Sequence, residues 1–406
     1  MKSRGKILLG KSFGEEKEMR LVFRLPMIKP ETLEMPEVCP HKGCKGKRFV
    51  PFQQVVKALR DTQYREVNVR RYKCLRCGRT FRVYPSGVSR EQVSQRLKGL
   101  AVMLYLLGLS YGAVALFLQS LGFWLSKTLV YYTVQKAAAK VPGMRREKLI
   151  EGVRAAAVGS DVTMVKVKGK WCRLGVVVDA VSGVVLCLDG LAGEDGQTLR
   201  EWLQPVVEAV GAELLVSDDA DAFKQVAEAL GLPHQVCKSH VQRNTEQLVE
   251  ELKALVKGGR DHSLQQIGVS SEQALADLDR LKQLVKERQP EQEQELEKLL
   301  ERYLGAEPPG AGEKASLAYR LRLLLLDRWN LWKRLTRYRR WQGSKGEQID
   351  GTNNAAERAI GWWIKERYRT MRGYKRETSA VNVSRLLAWC GNHLQKGGAP
   401  LACLLA

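Results

Sequence analysis

The sequence predicts a multidomain α/β protein, and three observations predict it. Four cysteines crowd in pairs near the N-terminus, residues 91–141 have a helical rhythm, and beyond Pro142-Gly143 short Val- and Leu-rich runs take over. A chain of 406 residues has length for two or three domains with real cores. Its 44% hydrophobic and 27% charged content argues against long disorder. The charge balance points outward: 67 Lys+Arg against 44 Asp+Glu leave a net charge of +23, which concentrates polyanions, nucleic acid first among them. Nine cysteines, an odd number, with no secretory signal, point to a reducing compartment and to metal or structural thiols. Residues 99–126 carry no charged side chain and reach bilayer-spanning length. Leu109-Ser110-Tyr111-Gly112 and Gln119-Ser120-Leu121-Gly122 break that stretch into short helices, so no membrane span is expected.

In chain order, residues 1–38 read as a loosely ordered basic arm with Pro26, Pro30 and Pro36. Residues 39–84 hold Cys39 and Cys44 on one knuckle and Cys74 and Cys77 on another, with Gly43 and Gly78 suiting tight turns. Two such cysteine pairs supply the tetrahedral thiolates of one structural zinc, so this segment is expected to be a zinc ribbon with residues 66–71 in its strands. The first gap is four residues, which leaves His41 as an alternative to Cys39 or Cys44. Arg70, Arg71, Lys73, Arg76, Arg79 and Arg82 surround the second knuckle and suit phosphate contact.

Residues 90–141 have the cadence of a helix-turn-helix. One helix packs through Val114, Ala115 and Leu118, a turn falls at Leu121-Gly122, and a second helix is capped by Ser126. Lys127, Thr128, Tyr131 and Gln135 would then face bases or phosphates. The alternative is a helical packing domain without groove contact. Pro142-Gly143 with Arg145-Arg146 reads as a linker.

Residues 150–243 form the first part of a mixed α/β core. Strands are expected at 153–158, 173–178, 184–188 and 213–216, a hairpin turn at 180–183, and helices at 197–210 and 220–230. Residues 244–350 read as an all-helical insertion, interrupted at Pro308-Pro309-Gly310 and in part a solvated, coiled-coil-like arm. Residues 351–395 supply the core's C-terminal helices, and 396–406 a tail.

Three acids stand where strands and helices present them. Asp161 lies near a strand end, Asp218 closes the fourth run, and Glu357 sits early in a helix capped near residues 352–354. Together they can hold two Mg²⁺ or Mn²⁺ ions for phosphoryl transfer. Asp179, Asp189, Asp195, Asp219, Asp221 and Glu366 compete for those roles. Arg358, Lys365, Arg367, Arg369, Arg372 and Lys375 crowd the segment after Glu357, among Trp362, Trp363, Tyr368 and Tyr374, a mixture suited to phosphates and unpaired bases.

On Asp161 in SDVTMVKVKGK, the meander GVVVDAVSGVV, Asp218 in LLVSDDADAF, the run from Cys237 through His240 to Asn244, and Glu357 in GTNNAAERAIGWWIKERYRTMRGYK, the chain resembles the RNase H-like DDE transposases, in particular Mutator-like and related bacterial insertion-sequence groups. The resemblance covers about residues 150–393. It implies an RNase H-like core, a triad of Asp161, Asp218 and Glu357, and a Cys237-x-x-His240 pair near the active site with Arg243 and Asn244 behind it. Asp219 is the alternative second ligand, and a metal role for Cys237 and His240 is left open. The implied protein is a cytoplasmic, nucleoid-associated bacterial transposase, dimeric or larger. It would bind the terminal repeats of double-stranded DNA and use Mg²⁺ or Mn²⁺ beside one structural Zn²⁺. The rival readings are a non-catalytic DNA-binding regulator and a structure-specific RNase H-like nuclease.

Overall fold

The computed structural model describes residues 23–141, 153–370, 374–394 and 399–400. The chain divides into two units, one running to Lys140 and resuming at Trp389, the other spanning Val141–Ala388. The linker expected at residues 142–146, most of the N-terminal arm and the end of the tail lie outside the described residues.

In the first unit come β1 (Phe23–Arg24), β2 (Lys29–Leu33), β3 (Phe49–Ala58), β4 (Glu66–Cys74), β5 (Thr80–Val83) and β6 (Pro85–Ser86). Strands β3, β4 and β5 form an antiparallel sheet in that order, and β2 pairs with β6. The expected loose arm is corrected here from Phe23 onward. Ile28 is buried with Leu59, Val67, Val69 and Val88, because its side chain is the apolar anchor that this small sheet needs.

Three helices follow: α1 (Gln95–Leu106), α2 (Tyr111–Ser120) and α3 (Lys127–Ala139). Each opens on a serine whose hydroxyl accepts an amide proton: Ser94 from Leu97 at 3.0 Å, Ser110 from Ala113 at 3.2 Å, Ser126 from Leu129 at 3.1 Å. Ser94 also donates to the buried Asp61 at 2.6 Å, which ties α1 to the loop between β3 and β4. Val114 and Leu118 are fully buried, whereas Ala115 is only half-buried. Among the described residues no helix is long and apolar enough to cross a membrane.

The second unit is built on a five-stranded sheet. β7 (Ala157–Val167), β8 (Lys170–Asp179) and β9 (Val185–Leu191) form an antiparallel meander, and β10 (Leu214–Ser217) and β11 (His234–Val236) run parallel to β7, giving the order β11-β10-β7-β8-β9. The hairpin turn lies at 180–183 as expected, with Gly183 at φ 73° and its amide bonded to the Asp179 carbonyl. The first strand begins later and runs further than its apolar stretch suggested. Residues 153–155 carry no strand, while 161–167 extend β7 with alternating buried and exposed side chains.

One face of the sheet is covered by α4 (Gly196–Val210) and α5 (Asp221–Ala229), through Trp202, Leu203, Val206 and Phe223. Then come α6 (Lys238–Gly258), α7 (Ser263–Gln266), α8 (Ser271–Glu287), α9 (Glu293–Glu301) and α10 (Leu317–Thr336). These helices are not a solvated arm. They enclose their own core, with Leu278, Leu281, Leu296, Tyr303 and Trp332 at 0–2% exposure, because the leucines among the charges fall on one helical stripe. The first helix also starts at Lys238, directly after β11, rather than at Asn244. Gln235 in β11 donates to the Leu335 carbonyl at 3.1 Å and accepts from the Tyr338 amide at 2.7 Å, docking the helical layer on the sheet edge.

The chain returns as α11 (Asn354–Ile360), passes through a π-helical segment (Gly361–Lys365) into α12 (Glu366–Thr370), and continues in α13 (Glu377–Leu394) and β12 (Ala399–Pro400). Helix α11 packs on β7 and β8.

Candidate functional site

Strand register brings the first two acids together. β10 pairs with β7 at Leu214↔Ala157, Leu215↔Val158 and Val216↔Gly159. Asp218 follows the last residue of β10, close enough to Asp161 for its charge to act there. Asp161 sits in the middle of β7 rather than near its end; what ends there is the parallel neighbour. Glu357 arrives on the first turn of α11.

The charges of the three acids are felt at one point. Burial pushes the Asp161 carboxyl up from 3.8 to about 6, and the negative charges of Asp218 and Glu357 push in the same direction. The Val162 amide, which donates to Asp161 at 2.7 Å, and the nearby His240 oppose them.

The competing acids hold other posts. Asp179 accepts from the Val181 amide at 3.0 Å inside the hairpin turn, and Asp189 pairs with Arg385. Asp195 caps α4 by accepting from Thr198 at 2.9 Å. Asp219 and Asp221 both bind Lys224, at 2.9 and 3.0 Å, and Glu366 lies exposed on α12. Asp218, by contrast, accepts only from the Ala220 amide at 3.1 Å among the described contacts.

A residue that sequence reasoning missed connects these parts. Asn353 is buried at the N-cap of α11, yet its side chain does not cap that helix. Its Nδ2 donates instead to the Ser160 carbonyl at 2.8 Å, next to Asp161, and its backbone amide donates to Cys237 Sγ at 3.3 Å. Gly159 makes the approach possible: a Cβ there would lie 2.8 Å from Asn353 Oδ1. The GTNNAAE run carried a signal, two adjacent asparagines before an acid where one cap would suffice.

Cys237 and His240 both approach Glu357. Sγ lies 3.9 Å and Nε2 3.7 Å from Glu357 Oε1. Burial works to raise the Cys237 thiol, but its hydrogen bonds with His240 and Asn353 leave it below its usual value; the same thiol raises His240. Behind them, Asn244 accepts from the buried Arg328, and exposed Arg243 folds back on the Ser239 carbonyl at 3.3 Å.

In the first unit the four cysteine sulfurs lie within 4.8 Å of one another, with Cys39–Cys77 and Cys44–Cys74 each at 3.8 Å. A zinc–sulfur bond of about 2.3 Å sets the edge of a thiolate tetrahedron at about 3.8 Å, so the residues fit that ion. His41 stands outside the cluster, with Nε2 3.2 Å from the Thr80 carbonyl, which removes it as a substitute ligand.

Of the residues expected at DNA, Lys73, Arg76, Arg79, Lys127, Thr128, Arg358, Lys365, Arg369 and Lys375 are exposed. Arg71 is half-buried, donates to Thr80 at 3.0 Å and lies over Phe52. Tyr131 and Gln135 are half-buried around Tyr111. Arg367 corrects the expectation: at 5% exposure it belongs to the interior, placed there by the helical phase of α12. Arg372 lies outside the described residues. Exposed Trp124 (59%) and Tyr132 (62%) escaped the sequence reading, since an apolar aromatic beside a helix reads as core.

The crowded acid makes a stability prediction. The Asp161 carboxyl titrates near 6 in the folded chain and near 3.8 otherwise, so its favourable contribution is present below about pH 4 and lost as pH rises through 6. Asp161→Asn is expected to stabilise the metal-free protein by about 3 kcal/mol at pH 7.5, several degrees in Tm, and to change little near pH 4. Thermal melts at both pH values check this; equal shifts would refute it.

The family model that matches this chain is described as Transposase IS66 family, and it spans residues 114–381. The chain belongs to that family, and so to the transposases. Among solved structures, the Drosophila P element transposase strand transfer complex is similar at 10% identity and a TM-score of 0.38, covering 72% of this chain and 92% of that one, too distant to carry an argument. A search of curated proteins finds no match.

Proposed function

We propose that the chain is a DNA transposase whose RNase H-like core cuts element ends and transfers them to target DNA, with Asp161, Asp218 and Glu357 as the metal-binding acids. The observation that carries this is the convergence of charge on Asp161, whose carboxyl both Asp218 and Glu357 push upward beside the paired strands β7 and β10. The sheet order, an antiparallel meander followed by two parallel strands, supports an RNase H-like core. The sequence likeness to Mutator-like enzymes is the finer form of the same reading.

Asp161, Asp218 and Glu357 offer an all-oxygen donor set, which fits Mg²⁺ or Mn²⁺, and a cation there would offset the burial and the neighbouring negative charges that raise the Asp161 carboxyl. Two ions held by Asp161, Asp218 and Glu357 would supply activation of a water or 3′-OH and charge stabilisation for the leaving 3′ oxygen. The chain's own part is to hold the acids in register and grip DNA. Lys127 and Thr128 open a helix suited to the major groove, the basic rim of the zinc ribbon takes phosphates, and Arg358, Lys365, Arg369 and Lys375 flank the acids. Joining two ends requires two copies or more in one complex.

The test is cleavage and joining of labelled DNA bearing the element's own ends, in Mg²⁺ or Mn²⁺. Cutting followed by joining supports the proposal. Binding without cutting replaces it with a DNA-binding regulator, and cutting of branched or hybrid substrates without joining replaces it with a nuclease.

Asn353→Ala removes the bond to the Ser160 carbonyl. It is expected to cost about 1–3 kcal/mol of stability and to slow cleavage at least about tenfold by loosening Glu357 against Asp161. A denaturant titration beside single-turnover rates measures both; unchanged rates would exclude a positioning role.

A further inference from the structure

A second donor set shares Glu357. Cys237 Sγ, a nitrogen of His240 and a carboxylate oxygen of Glu357 all lie within 4.8 Å of one another. Cys237 and His240 occupy the N-cap and third positions of the 21-residue α6, so both side chains rise from one face of its first turn. The fully buried Cys237 sulfur stands at the positive end of that helix and accepts the Asn353 amide at 3.3 Å, two features that favour a thiolate. His240 Nε2 faces Glu357, while Nδ1 is buried without a hydrogen-bond partner among the described residues. The ring thus turns Nε2 to Glu357 and keeps a buried Nδ1 that no hydrogen bond satisfies, which is uncommon for a ring with a purely structural task.

We propose that Cys237, His240 and Glu357 form a binding site for one thiophilic divalent cation of the zinc class. Sulfur, imidazole and a single carboxylate suit a zinc-like ion and suit Mg²⁺ poorly. Three protein ligands leave a fourth position to water. Binding forms the metal–sulfur bond and releases the Cys237 proton to solvent. Because Glu357 can serve only one cluster fully, such an ion draws it away from Asp161 and Asp218 and opposes cleavage. This last consequence rests on the proposed transposase reading; the binding itself does not.

The experiment is a metal count on the full chain. Protein loaded with Zn²⁺ is gel-filtered, and zinc per chain is measured for wild type, Cys237→Ala, His240→Ala and Cys74→Ser. Two equivalents are expected in wild type and one in each variant. Replacing Zn²⁺ by Co²⁺ distinguishes the sites: Cys74→Ser should retain a weak, single-thiolate charge-transfer band, and His240→Ala the strong band of four thiolates. Retention of that strong band in Cys237→Ala also shows that the variant is folded. One equivalent in wild type, or two in His240→Ala, overturns the site. Failure of DNA cleavage leaves the count untouched, so the two proposals fail separately.

Discussion

Asp161→Ala, Asp218→Ala and Glu357→Ala are each expected to lower strand cleavage by about 10³-fold or more while leaving affinity for the element's ends within about tenfold. Asp218 and Glu357 both act on the Asp161 carboxyl, so losing any one of the three removes charge from the proposed metal site that the other two cannot replace. Pairwise combinations should be little worse than single changes, because groups that act as one unit are not additive. Asp161→Asn gives the sharpest form of the test. It is expected to lose cleavage and gain thermal stability at once, a combination that misfolding cannot produce. Asp221→Asn serves as the control, since that exposed acid binds only Lys224 and should retain near-normal rates. Full activity in any of the three alanine variants would remove that residue from the proposed set.

The second large effect is expected at the four-cysteine cluster. Removing zinc with a chelator, or replacing Cys74 by Ser, should unfold the sheet of β3, β4 and β5. Structural zinc contributes an apparent binding free energy of about 10–16 kcal/mol, which matches or exceeds the entire stability of a small domain. Cys74 is fully buried at the end of β4, and Gly46 packs so closely that an added Cβ would lie 2.7 Å from its sulfur. Around the sulfurs only Phe81 and Val83 are further buried apolar groups, and the separate cluster of Ile28, Leu59, Val67, Val69 and Val88 is too small to replace the metal. The three serine-capped helices have their own buried residues and should persist. Amide exchange before and after chelation separates the two: loss of protection in β3–β5 with retention in α1–α3 is expected. A sheet that keeps its protection without zinc would show that the thiols are dispensable.

Much of this was readable from residues alone. The Val and Leu runs marked β8, β9 and β10, and the Ser126 cap and the glycine breaks marked α2 and α3. β11 was missed because three residues, His-Gln-Val, carry no period. The true reach of β7 was hidden in DVTMVKV, whose alternation reflects a strand paired on one side and half-open on the other. The helical layer misled through its charges, since the buried stripe of Leu278, Leu281 and Leu284 is diluted by Lys, Glu and Gln around it. What the sequence could not disclose were contacts across long separations. Asn353 to Ser160 spans 193 residues and Cys237 to Glu357 spans 120, and no local pattern encodes either.

The π-helical segment from Gly361 to Lys365 has a consequence for how this region tolerates change. A π turn accommodates one residue beyond the α-helical repeat, so the chain past it is rotated by about 100° from where an unbroken helix would leave it. Glu357 and Arg367 thus answer to different phases of what is nominally one rod. Excising a single residue from Gly361–Lys365 should relax the rod to plain α-helix and leave Glu357 in place. Everything downstream would swing round by that angle, turning Arg367 out of the interior and an unprepared neighbour into it. The segment works as a phase adjuster, and indels there are far more consequential than substitutions.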